Sequence, residues 1–124
     1  MELKDYGKQP FVVDLEDFTT SNHNFRTAVW TGEQLQMTLM SIEVGGDIGG
    51  EIHNDNDQFL RVEQGRALVK MGNSETDITF EQVAEEDAGI FIPLGKWHNV
   101  INIGDQPLKL YSIYAPVHHP FGTV

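Results

Sequence analysis

Short apolar runs rich in Val, Ile, Leu, Phe and Tyr alternate along this chain with clusters of Gly, Pro, Asn and Asp. Runs of that length between turn residues read as β-strands. They fall at Phe25–Thr31, Gln34–Val44, Glu51–His53, Gln58–Gln64, Arg66–Met71, Asp77–Phe80, Gly89–Pro93, Trp97–Asn102 and Leu108–Ala115. Turns are expected at Thr31-Gly32, Gly45-Gly46, Asn54 to Asp57, Gly65, Gly72-Asn73, Pro93-Leu94-Gly95 and Gly104-Asp105. Helical periodicity is absent, apart from a single turn of helix expected at Leu15–Thr20. Many short, evenly spaced strands imply an all-β sandwich or barrel. No linker, repeat or low-complexity tract interrupts the pattern. Residues 1–124 therefore read as one domain, with an N-terminal arm over 1–24 and a C-terminal tail over 116–124.

Alternation also assigns faces. In Gln58–Gln64 the more apolar face carries Gln58, Leu60, Val62 and Gln64, opposite Phe59, Arg61 and Glu63. Gln58 is thus expected to point inward, and a buried amide without a partner costs about 1–3 kcal/mol. A polar feature inside the barrel follows. Glu51 and His53 are two residues apart and leave a strand on one face. Gln58 follows after a tight polar turn that can fold it back towards them. His98 sits beyond the Pro93-Leu94-Gly95 bend, which can aim it at the same point. Two imidazoles and a carboxylate form a donor set used by non-haem iron, and Gln58 would add a neutral oxygen. The same residues also read as an exposed strand face with Ile52 in the core, because alternation alone does not say which face is buried.

Composition narrows the function classes. Eight Lys+Arg against 19 Asp+Glu give a net charge of −11 and a pI near 4.6. Such a surface repels phosphate backbones and anionic lipid, so neither a nucleic-acid nor a membrane partner is expected. The chain has no Cys, which excludes disulfides, thiolate nucleophiles and Cys-type metal sites. With no apolar signal segment near Met1, a cytoplasmic location is expected.

Two blocks of the sequence resemble the cupin family. The first cupin motif runs G-x5-H-x-H-x4-E-x6-G. Gly45, Glu51, His53, Gln58 and Gly65 keep its spacing, with Glu51 in place of the first His and Gln58 in place of Glu. The second motif, G-x5-P-x-G-x2-H-x3-N, is matched by Pro93, Gly95, His98 and Asn102, with Asp87 replacing the leading Gly. The blocks span residues 45–65 and 87–102. The resemblance implies a single-domain cupin jelly roll, a double-stranded β-helix barrel. It implies one divalent metal inside the barrel, held by Glu51, His53, Gln58 and His98, and a homodimer. The moved carboxylate and the amide leave Fe, Mn, Ni or Zn as candidate ions. Trp97 to Asn102 and Tyr111 to Pro116 are similar to small bacterial cupins loosely labelled mannose-6-phosphate-isomerase-like. Too few cations are placed to hold a phosphate, so phosphosugar specificity is discounted.

The function expected on these grounds is a metal-dependent enzyme, of isomerase or oxygenase type, acting on a small oxygenated metabolite. The alternative is a non-catalytic small-molecule or sugar-binding module on the same barrel. His118 and His119 are the available proton carriers for catalysis, although a pair so near a terminus more often belongs to a solvated tail or an interface arm. Arg26 and Arg61 have the right charge for a carboxylate substrate. In so acidic a chain their ordinary use is a salt bridge. Trp30, Trp97, Tyr111 and Tyr114 either line a pocket or fill the core, and the Asp55/Asp57 turn is expected to be solvated.

Overall fold

A computed structural model describes residues 1–124. Helix α1 (Leu15–Ser21) precedes nine strands: β1 (Arg26–Thr31), β2 (Gln36–Ile42), β3 (Glu51–Ile52), β4 (Asp57–Gln64), β5 (Ala67–Ser74), β6 (Asp77–Ala84), β7 (Gly89–Ile92), β8 (Trp97–Asn102) and β9 (Leu108–Ala115). All pairings are antiparallel. One sheet has the order β1-β2-β9-β4-β7 and the other β3-β8-β5-β6, which is the jelly roll expected from the sequence.

Between the sheets lies a core cluster of 14 residues, including Met40, Leu60, Val62, Val69, Ile92, Val100 and Leu110. Each of these comes from one face of its strand, as the alternation requires. Gln58 is buried with Leu60 and Val62, so its inward assignment holds. A second cluster covers the outer face of the larger sheet. Phe18, Val29, Leu39 and Tyr111 pack there against Leu3, Tyr6, Phe11, Val13 and Leu15 of the N-terminal arm. Strand β9 is therefore buried on both faces. Lys109, on its outer side, is buried and donates from Nζ to the Asn22 carbonyl at the C-terminal end of α1. Asp14 caps the other end, its Oδ1 accepting from the Asp17 amide at 3.1 Å.

Two sequence expectations need correction. Gly72-Asn73 is not a turn. Strand β5 continues to Ser74 through register shifts around Gly72, and the hairpin turns at Glu75-Thr76. Strand β6 extends beyond Phe80 to Ala84, because Glu81 and Gln82 lie on a sheet edge where polar residues do not end a strand. Asp87, which replaces the leading glycine of the second motif, is the one non-glycine residue with positive φ, at 72°. Acidic and amide side chains tolerate that conformation better than most, which lets Asp stand at a glycine position.

Candidate metal centre

The register brings the candidate ligands together. Glu51 on β3 lies directly opposite His98 on β8, so both side chains leave the same face. His53 follows two residues after Glu51. Ligand atoms of Glu51, His53 and His98 all lie within 4.8 Å of one another. The rings of His53 and His98 are stacked with centroids 5.1 Å apart. Gln58 reaches the interior from the other sheet, paired across β4 and β9 with Tyr114, whose ring is 5.8 Å from that of His53. His53, Gln58 and His98 are buried, whereas the Glu51 side chain is 41% exposed and marks the mouth.

Local structure aims each donor. The Pro93–Lys96 turn is pinned twice: the Gly95 amide donates to the His53 carbonyl at 2.7 Å, and the Leu94 amide donates to Asp57 Oδ1 at 2.9 Å. Gly95 has φ 82°, a conformation that a side chain would strain. Asp57 is thus an anchor rather than part of a solvated turn. His98 Nδ1 lies 3.2 Å from the Lys96 carbonyl oxygen, so that nitrogen carries the proton and donates. This leaves Nε2 with a free lone pair in the cluster with Glu51 and His53. Gln58 Nε2 donates to Ser112 Oγ at 2.7 Å, which turns Oε1 inward.

Buried polar atoms in folded proteins nearly always have partners. Here His53 Nδ1 and Nε2, His98 Nε2 and Gln58 Oε1 have none. Glu51 Oε1 comes within 3.1 Å of His53 Nε2, yet the orientation is not that of a hydrogen bond. Unpartnered lone pairs from two imidazoles, an amide and a nearby carboxylate fit a divalent cation. Burial pushes His98 below the ordinary histidine range, with the charge of His53 adding to the effect and Lys96 and Glu51 opposing it. A neutral imidazole is the form that coordinates.

The C-terminal tail folds back beside this site, pinned through its backbone although His118 and most of its other residues remain exposed. Gln36 on β2, fully buried, holds it. Its Oε1 accepts from the His118 and His119 amides at 3.1 and 2.8 Å, and its Nε2 donates to the His119 carbonyl at 2.8 Å. The His118 ring meets that of His53 edge-on at 4.3 Å, and His119 Nε2 lies 3.4 Å from the Tyr114 hydroxyl. Burial lowers His118, and burial followed by the charge of Arg26 brings His119 down to about 4. The sequence reading missed Gln36, although its alternation with Thr38 and Met40 places it on the inner face. Of the aromatic candidates only Tyr114 faces the centre. Tyr111 belongs to the outer cluster, Trp30 donates to the Gln9 carbonyl at 2.8 Å, and Trp97 packs over Gly50.

Comparison with known proteins agrees with this architecture. The family model for the cupin domain (Cupin_2) matches residues 38–114. YrkC of Bacillus subtilis (strain 168) is 59% identical over 122 residues, covering 98% of this chain and 66% of YrkC. L612 of Acanthamoeba polyphaga mimivirus is 38% identical over 117 residues, covering 94% of this chain and 71% of L612. The chain thus spans about two thirds of the length of these relatives. The crystal structure of BH2720 from Bacillus halodurans superposes with a TM-score of 0.95 at 58% identity, covering 97% of this chain and 91% of that one. No helix is long and apolar enough to cross a membrane. With the two motifs, the jelly-roll topology and the matched family model in agreement, the chain belongs to the cupin family.

Proposed function

We propose that this cupin holds one divalent metal ion through Glu51, His53, Gln58 and His98, and that it is an enzyme of isomerase or oxygenase type acting on a small oxygenated metabolite. The observation that carries the reading is the cluster of unpartnered donor atoms, His53 Nδ1 and Nε2, His98 Nε2 and Gln58 Oε1, beside a carboxylate whose ligand atom lies within 4.8 Å of those of both histidines. When bound, a divalent ion supplies Lewis acidity to a carbonyl or enol oxygen of the substrate. Two nitrogens, two oxygens and one negative charge suit Fe, Mn, Ni or Zn.

The chain's own residues supply the rest. His118 and His119 are held beside the site in neutral form; His119, lowered to about 4, is too weak a base to take a proton from carbon and is suited to hydrogen bonding a substrate hydroxyl, which leaves His118 as the proton acceptor. Gln36 fixes their backbone, so they are positioned before substrate arrives. Tyr114, whose phenol burial pushes up, stays protonated and can donate a hydrogen bond to a substrate oxygen.

Elemental analysis of protein purified without chelator or nickel resin tests the reading. His53→Ala and His98→Ala should each lose most of the metal. Gln58→Ala should lose least, because water can replace a neutral amide oxygen, and Gln58→Glu should bind more tightly. Unchanged metal content and thermal stability in both histidine variants would overturn the site. A metabolite screen with the bound ion present then tests the enzyme reading, which turnover of no small oxygenated compound would defeat.

A further inference from the structure

In a chain with 19 acidic and eight basic residues, an arginine without an acid beside it is the exception. Lys8, Arg61, Arg66 and Lys70 all reach carboxylates. Lys96 and Lys109 reach oxygens of Asn73 and Asn22, and Lys4 lies over the Tyr6 ring. Arg26 makes no ion pair and no side-chain hydrogen bond. Its Nε is buried without a partner, and its guanidinium carbon lies 5.2 Å from the centre of the Phe25 ring. The salt bridge expected from composition thus forms at Arg61, with Glu63 and Asp87, and is missing at Arg26.

The position of Arg26 is as informative as its lack of a partner. It opens β1 opposite Met40, a member of the inner core. Two residues on, Ala28 pairs with Thr38, whose buried hydroxyl is also unpartnered. Arg26 therefore lies on the face turned towards the second sheet, the face that also carries Ser112 and Tyr114. Its charge is felt at Tyr114, His118 and His119, the groups around the candidate centre.

We infer that Arg26 binds a substrate carboxylate, and that the ligand class of this barrel is a small carboxylic acid bearing a second oxygen function. The second oxygen rests on the metal reading above; the carboxylate does not. A guanidinium presents planar paired donors that match a carboxylate in two parallel bonds. A neutral sugar would leave it unmatched. A phosphate dianion would call for a second cation, and every other Lys or Arg is engaged elsewhere.

Calorimetric titration with malonate, succinate and glutarate tests this, with succinamide as the neutral control and inorganic phosphate as the competing anion. Each is run on manganese-loaded protein and on protein stripped with chelator, and metal content is measured in the same samples. At least one dicarboxylate should bind. Arg26→Gln should weaken it by about tenfold or more, the loss of a charge-assisted bond, with metal content unchanged. Arg26→Lys should fall between, because it keeps the charge without the fork; it also serves if Arg26→Gln does not fold. Arg61→Gln should leave the affinity unchanged, and succinamide should not respond to Arg26. An Arg26 dependence that is the same in loaded and stripped protein supports the carboxylate site and counts against the metal reading alone. The inference is overturned if no dicarboxylate binds, if the Arg26 variants bind as the unmodified protein does, or if phosphate binds more tightly.

Discussion

Gln36 shows how much one buried amide can organise. Its oxygen accepts from two tail amides, and its nitrogen serves Thr31 Oγ1 and the His119 carbonyl. Gln36→Ala should cost about 1–3 kcal/mol through the partners it leaves unmatched. It should also raise hydrogen exchange across residues 116–124; unchanged protection there would show that the tail is held by other means. The histidines at the mouth give a pH dependence of definite sign. Burial lowers His98 and His118, and lowers His119 to about 4, with Arg26 contributing to the last. The unfolded chain takes up protons near pH ~6.5 that the folded chain refuses. Stability is therefore fully present above that pH and falls as pH drops towards about 4. The melting temperature of metal-free protein should decline over this window, and His119→Asn should flatten part of the slope. At this scale the meeting of Glu51, His53 and His98 was legible, because motif spacing carries it. Arg26 was legible only alongside Arg61, since composition cannot say which of the two lacks an acid.

At the level of elements, the turn between β7 and β8 is the part that aims His98. Asp57, on β4, accepts from Leu94 within it, so two strands of one sheet steer a candidate ligand carried by the other. Asp57→Ala should loosen this turn and reduce metal affinity several-fold while costing about 1 kcal/mol of stability. Isothermal metal titration beside thermal melting separates the two effects, and equal affinity would show that the Gly95–His53 bond suffices. Strands Trp97–Asn102 and Leu108–Ala115 match their sequence boundaries. Central strands have clear hydrophobic limits, which explains the match. Strand β6 was cut short in the reading because an edge strand has little apolar signal to give. Gly72 misled for a related reason: inside β5 it is a close-approach glycine, where a Cβ would meet the Asp77 carbonyl oxygen at 2.1 Å. The N-terminal arm was also opaque. Its apolar residues follow no single period, since they drape over a sheet instead of forming a strand or long helix.

For the whole molecule, the two sheets diverge along the β6 and β7 edges. A cleft of about 270 Å³ opens there, lined by Val69, Met71, Phe80, Ala84 and Ile90 among others, with Phe91 at its rim 74% exposed. The homodimer expected from family resemblance would bury this strip and its unpaired strand edges. Light scattering at tens of micromolar, a rough working range for interfaces of ordinary size, should report twice the chain mass. Phe91→Glu should return it to the monomer, and a monomeric unmodified protein would remove the expectation.

The two ends of the chain meet. Asp5 accepts from Gly122 at 2.9 Å, and through its other oxygen from the Thr31 amide, also at 2.9 Å. The order in which this fold is threaded is therefore separable from the fold itself. A short flexible linker joining Val124 to Met1, with new termini opened at the exposed Glu75-Thr76 turn, would leave every strand intact, with Gln36, Glu51, His53 and Gln58 on one side of the linker and His98 on the other. Such a circular permutant should keep the same ion content and pH profile.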